Sequence, residues 1–250
     1  MLSAMRLDSY LYERGYAASR TEAKRFITEN NVSVNGVIIT KPAFDIDENG
    51  CDSVKVTNDA KKYVSRGGIK LEAALKDFDI SVEGKLALDV GSSSGGFTDC
   101  LLKNGAKHVI AVDSGTGQMN PTLSADQRVT LKEGFNARYM STDDLGYTPE
   151  LAVMDVSFIS ATLIIGAVYS VLAPDSDFVC LIKPQFEVGR GGLSKGGIVK
   201  DEKLRRKAID KVVDSARAVG FTFCKVITSP IEGGDGNVEY LAHFKKESGL

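Results

Sequence analysis

The chain has no tryptophan, only two histidines in 250 residues, and four cysteines placed singly. Each shortage excludes something. Cys51, Cys100, Cys180 and Cys224 form no CxxC pair, so neither a zinc ribbon nor a thioredoxin-like motif is available. Cys100 and Cys180 stand in apolar runs, as small core residues of a reducing compartment do, and this points to the cytoplasm. His108 and His243 both fall inside strand-like segments, which argues against a histidine-based triad or metal site. No apolar run reaches the roughly 18 residues a membrane helix needs, and we expect no signal peptide from the polar start of the chain. With a net charge of −2, any basic surface for nucleic acid must be local. The length accommodates one large domain, or a moderate one with a small companion.

Glycine, by contrast, is plentiful at 25 residues, and residues 86–102, LALDVGSSSGGFTDCLL, organise the reading. Leu86 to Asp89 reads as a short buried strand, and Phe97, Leu101 and Leu102 resume at helical spacing after a small-residue turn. Strand, turn and helix in this order make the ligand-side corner of an open α/β sheet. Gly91, Gly95 and Gly96 let backbone approach a ligand where a Cβ would collide. A dinucleotide fingerprint needs glycine at position 93, where this chain has Ser93. The turn therefore suits a ligand with no pyrophosphate to seat on the helix. A second strand, His108 to Val112, ends in Asp113, where a carboxylate would meet a ribose diol. A glycine turn alone is often a plain tight connection. Joined to the acid at the next strand end, it points to S-adenosylmethionine.

The first 60 residues form a separate pattern. Residues 3–15 read as one amphipathic helix with Leu7, Tyr10 and Leu11 inward. Ser19-Arg20-Thr21-Glu22 is a capping-box pattern opening a second helix whose inner face is Ala23, Phe26 and Ile27. Val32 and Val34 then alternate into Asn35-Gly36, a strong hairpin signal. Residues 45–60 read as an acidic hairpin edge, with the module ending near Ala60. Six basic side chains (Arg6, Arg14, Arg20, Lys24, Arg25, Lys41) face four acids within residues 1–41, and Arg20 and Lys24 share a helix face. Charge alone fits a solvated surface. The runs RLDSYLYERG, SRTEAKRFI and VSVNG together, however, resemble the S4 RNA-binding domain.

Beyond a basic linker over residues 61–68, Gly67-Gly68 reads as a break, with Leu71, Ala74, Leu75 and Phe78 inward on the next helix. Lys70 stands at that helix start, where the dipole disfavours a cation. Residues 115–128 read as a polar rim loop, 160–172 as an apolar helix burying Leu163, Ile164, Ala167, Val168 and Val171, and 187–200 as a mobile basic loop. LAVMDVSF ends its strand in Asp155, DFVCLIK ends in Lys183, and Glu239 begins the last strand. Strands alternating with helices and closing on a hairpin give an α/β fold: a seven-strand, mostly parallel, Rossmann-like methyltransferase sheet.

The acceptor leaves its own marks. Where amino-group methylation uses an Asn/Asp-Pro-Pro-aromatic turn, this chain has Asp155-Val156-Ser157-Phe158, and no cysteine follows a proline to attack a pyrimidine. Two lysines and two acids remain at the sheet edge, a set suited to a hydroxyl, whose proton must leave as it attacks a sulfonium methyl. The leaving thioether is neutral, so no metal is required.

The order Lys-Asp-Lys-Glu resembles the FtsJ-like RNA 2′-O-methyltransferases. SRGGIK, LDVGSSSGGFTD, MDVSFIS, LIKPQFE and NVEY together resemble their TlyA (haemolysin A-like) branch over nearly the whole chain. The resemblance implies an S4 domain over 1–60, the linker 61–68, a methyltransferase domain over 69–250, and cytidine riboses of ribosomal RNA as substrate. It implies Lys70, Asp155, Lys183 and Glu239 as the catalytic tetrad, with Lys183 central. It places Gly91, Ser92, Ser93, Gly95, Gly96, Phe97, Thr98, Asp113 and Asp155 around S-adenosylmethionine, and Arg6, Arg20, Lys24 and Arg66 toward RNA. Ribosomal subunits would be the partner of a monomeric, cytoplasmic protein. A non-catalytic RNA- or ribosome-binding factor with a relic fold is the rival, opposed by the intact turn and the complete tetrad. A pore-forming cytolysin, raised by the family's haemolysin name, is opposed by the lack of membrane segments, and an oxidoreductase by Ser93.

Overall fold

The computed structural model describes residues 4–17, 19–47, 52–57, 62–194, 196–233 and 236–248. Two compact units divide the chain, Met1–Arg66 and Gly67–Leu250. The boundary expected near Ala60 lies outside the described residues.

In the first unit β1 (Ala4–Arg6) leads into α1 (Leu7–Glu13), followed by α2 (Arg20–Thr28), β2 (Val32–Val34), β3 (Val37–Ile38), β4 (Asp45–Asp47) and β5 (Val54–Val56). The single helix expected over 3–15 begins only at Leu7, because Ala4–Arg6 is drawn into antiparallel pairing with β4. Of the stretch 45–60, read as a hairpin edge, β5 does join the β2–β3 hairpin through β2, whereas β4 joins β1. Ile46 decides this by filling the core, at 2% exposure, beside Leu7, Leu11, Phe26 and Ile27. The α2 start is as read, with the Glu22 N–H donating to Ser19 Oγ at 3.1 Å, a cap worth about 1 kcal/mol. Asn35 and Gly36 both take positive φ, 52° and 81°, as the tight turn joining β2 and β3 demands.

The second unit runs α3 (Gly67–Asp77), β6 (Leu86–Val90), α4 (Gly96–Lys103), β7 (His108–Val112), α5 (Pro121–Ser124), β8 (Val129–Lys132), β9 (Leu151–Met154), α6 (Ile165–Val171), β10 (Ser176–Ile182), α7 (Pro184–Glu187), α8 (Glu202–Ala218), β11 (Thr222–Thr228) and β12 (Tyr240–Lys246). Seven strands lie in the order β11-β12-β10-β9-β6-β7-β8, and β12 alone runs antiparallel to its neighbours. Leu88 and Val90 of β6 join the core formed with α6 and α8, whereas Asp89, facing the other way, bonds Thr98 of α4. The chain leaves β6 toward β7 and β8, then returns to β9 on the opposite side of β6. That reversal opens a crevice at the carboxyl ends of β6 and β9, where open α/β sheets bind ligands.

Four local readings change. Gly67 and Gly68 do not break the chain but form the first turn of α3. The rim loop contains α5, started by Asn120 Oδ1 accepting from the Thr122 N–H at 2.9 Å and pinned by buried Met119 and Leu123. A 3-10 turn over Ala161–Leu163 shifts the helical phase before α6, so Leu163 is 45% exposed while Ile164, Ile165 and Val168 bury. The glycine-rich stretch before α8 is tied down by Asn237, whose Oδ1 accepts from the Val199 N–H at 2.9 Å and whose Nδ2 donates to the Gly197 carbonyl. No helix among the described residues is long and apolar enough to cross a membrane.

Candidate active site

The turn after β6 sets the geometry. Gly91 has φ 84°, and a Cβ there would lie 2.4 Å from the Asp155 carbonyl oxygen. Only glycine lets the ends of β6 and β9 meet this closely. Gly95 (φ 92°) packs the same way against Met119 and Leu123. The cavity above has a volume of about 820 Å³, and Gly91, Ser93, Asp113, Asp155, Ser157 and Phe158 are on its wall together with Gly134–Ala137.

Asp113 is held rigidly. Its two carboxylate oxygens accept from the Ser93 N–H at 2.8 Å and the Gly115 N–H at 2.7 Å, which locks the turn to the end of β7. Of the remaining residues expected at the cofactor, Ser92, Gly96, Phe97 and Thr98 are buried beneath the turn and Gly95 is packed behind it, none of them on the wall. Thr98 Oγ1 donates to Asp89 Oδ2 at 2.6 Å. Asp89 was missed in the sequence, although a charge inside LALDV was the available signal. Its carboxyl is fully buried and pushed up to about 7, chiefly by burial, with Asp155 and Asp113 adding to the rise against the Thr98 bond. Asp89 Oδ1 and Ser92 Oγ have no hydrogen-bond partner among the described residues.

The four charged residues of the sheet edge meet in two pairs. Lys70 Nζ lies 2.5 Å from Glu239 Oε2, with both side chains under 10% exposed. Lys183 Nζ lies 2.6 Å from Asp155 Oδ1 and donates a hydrogen bond to Ser157 Oγ at 2.8 Å. The β10–β12 pairing ends at Ile182↔Tyr240, so Lys183 and Glu239 stand one residue beyond it on adjoining strand ends. Asp155 and Ser157 are wall residues, which gives Lys183 the nearer approach to the cavity. Burying an ion pair costs several kcal/mol per ion in desolvation. The buried Lys70–Glu239 pair is therefore weak evidence of a stabilising device.

Phe158 is the other residue the sequence reading passed over. It is 92% exposed at φ 64°, a backbone region strained for a bulky side chain. Its ring lies 5.3 Å from that of Phe186. Next to Phe186, Glu187 is buried and accepts from Ser160 Oγ at 2.5 Å, from the Ala161 N–H at 2.8 Å and from Lys211 Nζ at 2.9 Å.

In the first unit, Arg6, Arg20 and Lys24 are surface residues, as expected, whereas Arg66 is half-buried with its charge acting on Glu29. Among the described residues no cluster of histidine, cysteine and acids is placed to hold a metal.

The glycine turn, the strand-end acid and the strand order 6-7-5-4-1-2-3, counting β6 as the first, are those of a methyltransferase sheet. The sequence matches the FtsJ-like methyltransferase family over residues 63–246 and the S4 domain over residues 5–50. The chain belongs to the FtsJ-like methyltransferases. Within them it groups with the TlyA and haemolysin A proteins. Hemolysin A of Brachyspira hyodysenteriae is 46% identical over 96% of this chain and 99% of its own length. The 16S/23S rRNA (cytidine-2′-O)-methyltransferase TlyA of Mycobacterium tuberculosis is 39% identical over 99% of this chain and 92% of its own. Among solved structures, a putative hemolysin from Streptococcus thermophilus superposes with a TM-score of 0.77 at 40% identity, covering 99% of this chain and 90% of that one.

Proposed function

We propose that this FtsJ-like methyltransferase acts on the 2′-hydroxyl of cytidine in ribosomal RNA, using S-adenosylmethionine, in the cytoplasm, with the S4 domain holding the RNA. The observation that carries the reading is Lys183 paired at 2.6 Å with Asp155, a wall residue of the cavity beside the glycine turn. The names of the TlyA relatives support the substrate.

The residues suit the cofactor. Gly91 leaves room for close approach, Asp113 keeps free lone pairs for ribose hydroxyls, and the unpartnered Asp89 Oδ1 and Ser92 Oγ lie buried beside the turn. S-adenosylmethionine would supply an electrophilic methyl on a sulfonium and depart as a neutral thioether. The protein's task is then to place the hydroxyl and take its proton. Lys183 Nζ is the base, held by Asp155 and Ser157 at its two sides. Lys70 and Glu239 are the second pair, setting the charge and shape of the acceptor side. Phe158 offers an exposed ring against which the target base can lie.

The test is transfer of labelled methyl from S-adenosylmethionine to purified 30S and 50S subunits, with digestion to nucleosides. Labelled 2′-O-methylcytidine is the expected product. Label on a base, or no transfer despite cofactor binding, would overturn the assignment.

A further inference from the structure

Asp8 is fully buried in the first turn of α1, yet both of its oxygens point at arginines. Arg6 Nε donates to Oδ1 at 3.0 Å and Arg6 Nη2 to Oδ2 at 2.9 Å, a bidentate fork. Arg20 Nη2 lies 3.4 Å from each oxygen. The two arginines come from different elements, the end of β1 and the start of α2, so the carboxylate joins them across the fold. Their side chains remain about half exposed, at 47% and 52%, while that of Asp8 is at 0%. Asp8 itself is anchored by its N–H donating to the Pro42 carbonyl at 3.0 Å. The Arg6 bond, ahead of every other contribution, holds its carboxyl below the usual carboxylate range, and Asp45 adds a second negative charge acting on Arg6.

We propose that Asp8 is a positioning residue for RNA recognition, fixing Arg6 and Arg20 as a paired guanidinium face toward backbone phosphates. The proposal rests on the reading of those arginines as RNA contacts. Two guanidiniums brought together repel, and each long side chain loses rotamer freedom when it meets a phosphate. A shared buried carboxylate removes both obstacles before RNA arrives, and the trio still carries one net positive charge. Asp8 therefore favours binding of a polyanion although it is itself an anion.

That sign is the test. Asp8→Asn in the full-length protein adds one positive charge, so simple attraction to phosphate would tighten binding and steepen its salt dependence. Positioning demands the opposite: affinity for 30S or 50S subunits, measured by filter binding across a salt series, falls about 5- to 10-fold with a shallower slope. Asp8→Glu, which restores the charge on a longer stem, should recover part of the loss. In an Arg6→Ala/Arg20→Ala background Asp8→Asn should change nothing, which a general loosening of the fold would not reproduce. Tighter binding by Asp8→Asn, or an equal loss in both backgrounds, overturns the proposal. If Arg6→Ala/Arg20→Ala alone binds both subunits as the wild type does, the RNA-contact reading fails and takes the proposal with it.

Discussion

Lys183 and Glu187 hold opposite ends of the same loop. Lys183 caps α7 and binds Asp155 and Ser157; Glu187, one turn later, binds Ser160 and Ala161. Between them Phe186 meets Phe158. Three of five consecutive residues thus fix the loop Asp155–Ser160 and keep Phe158 in its strained, exposed position. Lys183 and Phe158, the proposed base and stacking ring, are thereby both tied to one short segment.

Lys183→Ala is expected to abolish methyl transfer while S-adenosylmethionine affinity, read by calorimetry, stays within about twofold. Lys183→Arg should not rescue, because a guanidinium does not surrender its proton at any usable pH. Near-normal turnover by the arginine variant would make Lys183 a positioning cation and move the base elsewhere.

Phe158→Gly should separate stability from function. Removing a bulky side chain from a left-handed backbone relieves about 1 kcal/mol of strain, and an exposed ring forfeits little burial. The urea midpoint should hold or rise while the KM for ribosomal subunits rises several-fold. A lower midpoint with unchanged KM would show the ring to be structural.

Gly233→Ala places a Cβ 2.5 Å from Glu239 Oε1. The carboxylate must move, and its 2.5 Å contact with Lys70 with it. We expect kcat to fall by up to about 100-fold, the scale of an ångström-size misplacement in an active site, with cofactor affinity unchanged. Full activity in this variant would argue that the Lys70–Glu239 pair lies outside the chemistry.

Asp89 gives a pH prediction. Its folded carboxyl titrates at about 7 against an ordinary 3.8, so between these values the folded state holds the extra proton. Stability then falls as pH rises from about 4 to 7, by on the order of 3 kcal/mol from this group, and is flat above. Asp89→Asn keeps an acceptor for Thr98 and should erase that slope in urea titrations at pH 4.5 and 7.5. Equal slopes in both proteins would mean that Asp89 is ionised in the fold.

The parts of this molecule that were legible in its sequence are the local ones. Gly91, Asp113 and the Asn35-Gly36 turn each announce themselves within a few residues, because backbone sterics act at short range. The sheet edge was half legible: Asp155 and Lys183 each close an apolar strand and elimination left them at the edge with Lys70 and Glu239, but only family resemblance made the four a catalytic tetrad. Nothing in RLD tells that Asp8 faces inward with two arginines on it, since Arg20 arrives from another helix. Ala4–Arg6 looked helical because its strand partner lies about forty residues ahead. Asp89 and Glu187 are buried carboxylates whose partners come from elsewhere in the fold, and composition gives no hint of such satisfaction.

The Lys70–Glu239 contact spans 169 residues and is completed by β12, the last strand and the one that enters the sheet antiparallel. A contact of such high sequence separation carries a loop-closure cost that local pairs do not. The pair is thus a late-forming contact, made only once the sheet between its two residues has closed. A circular permutant that brings β12 close to α3 in sequence would shorten that loop without altering one residue of the site.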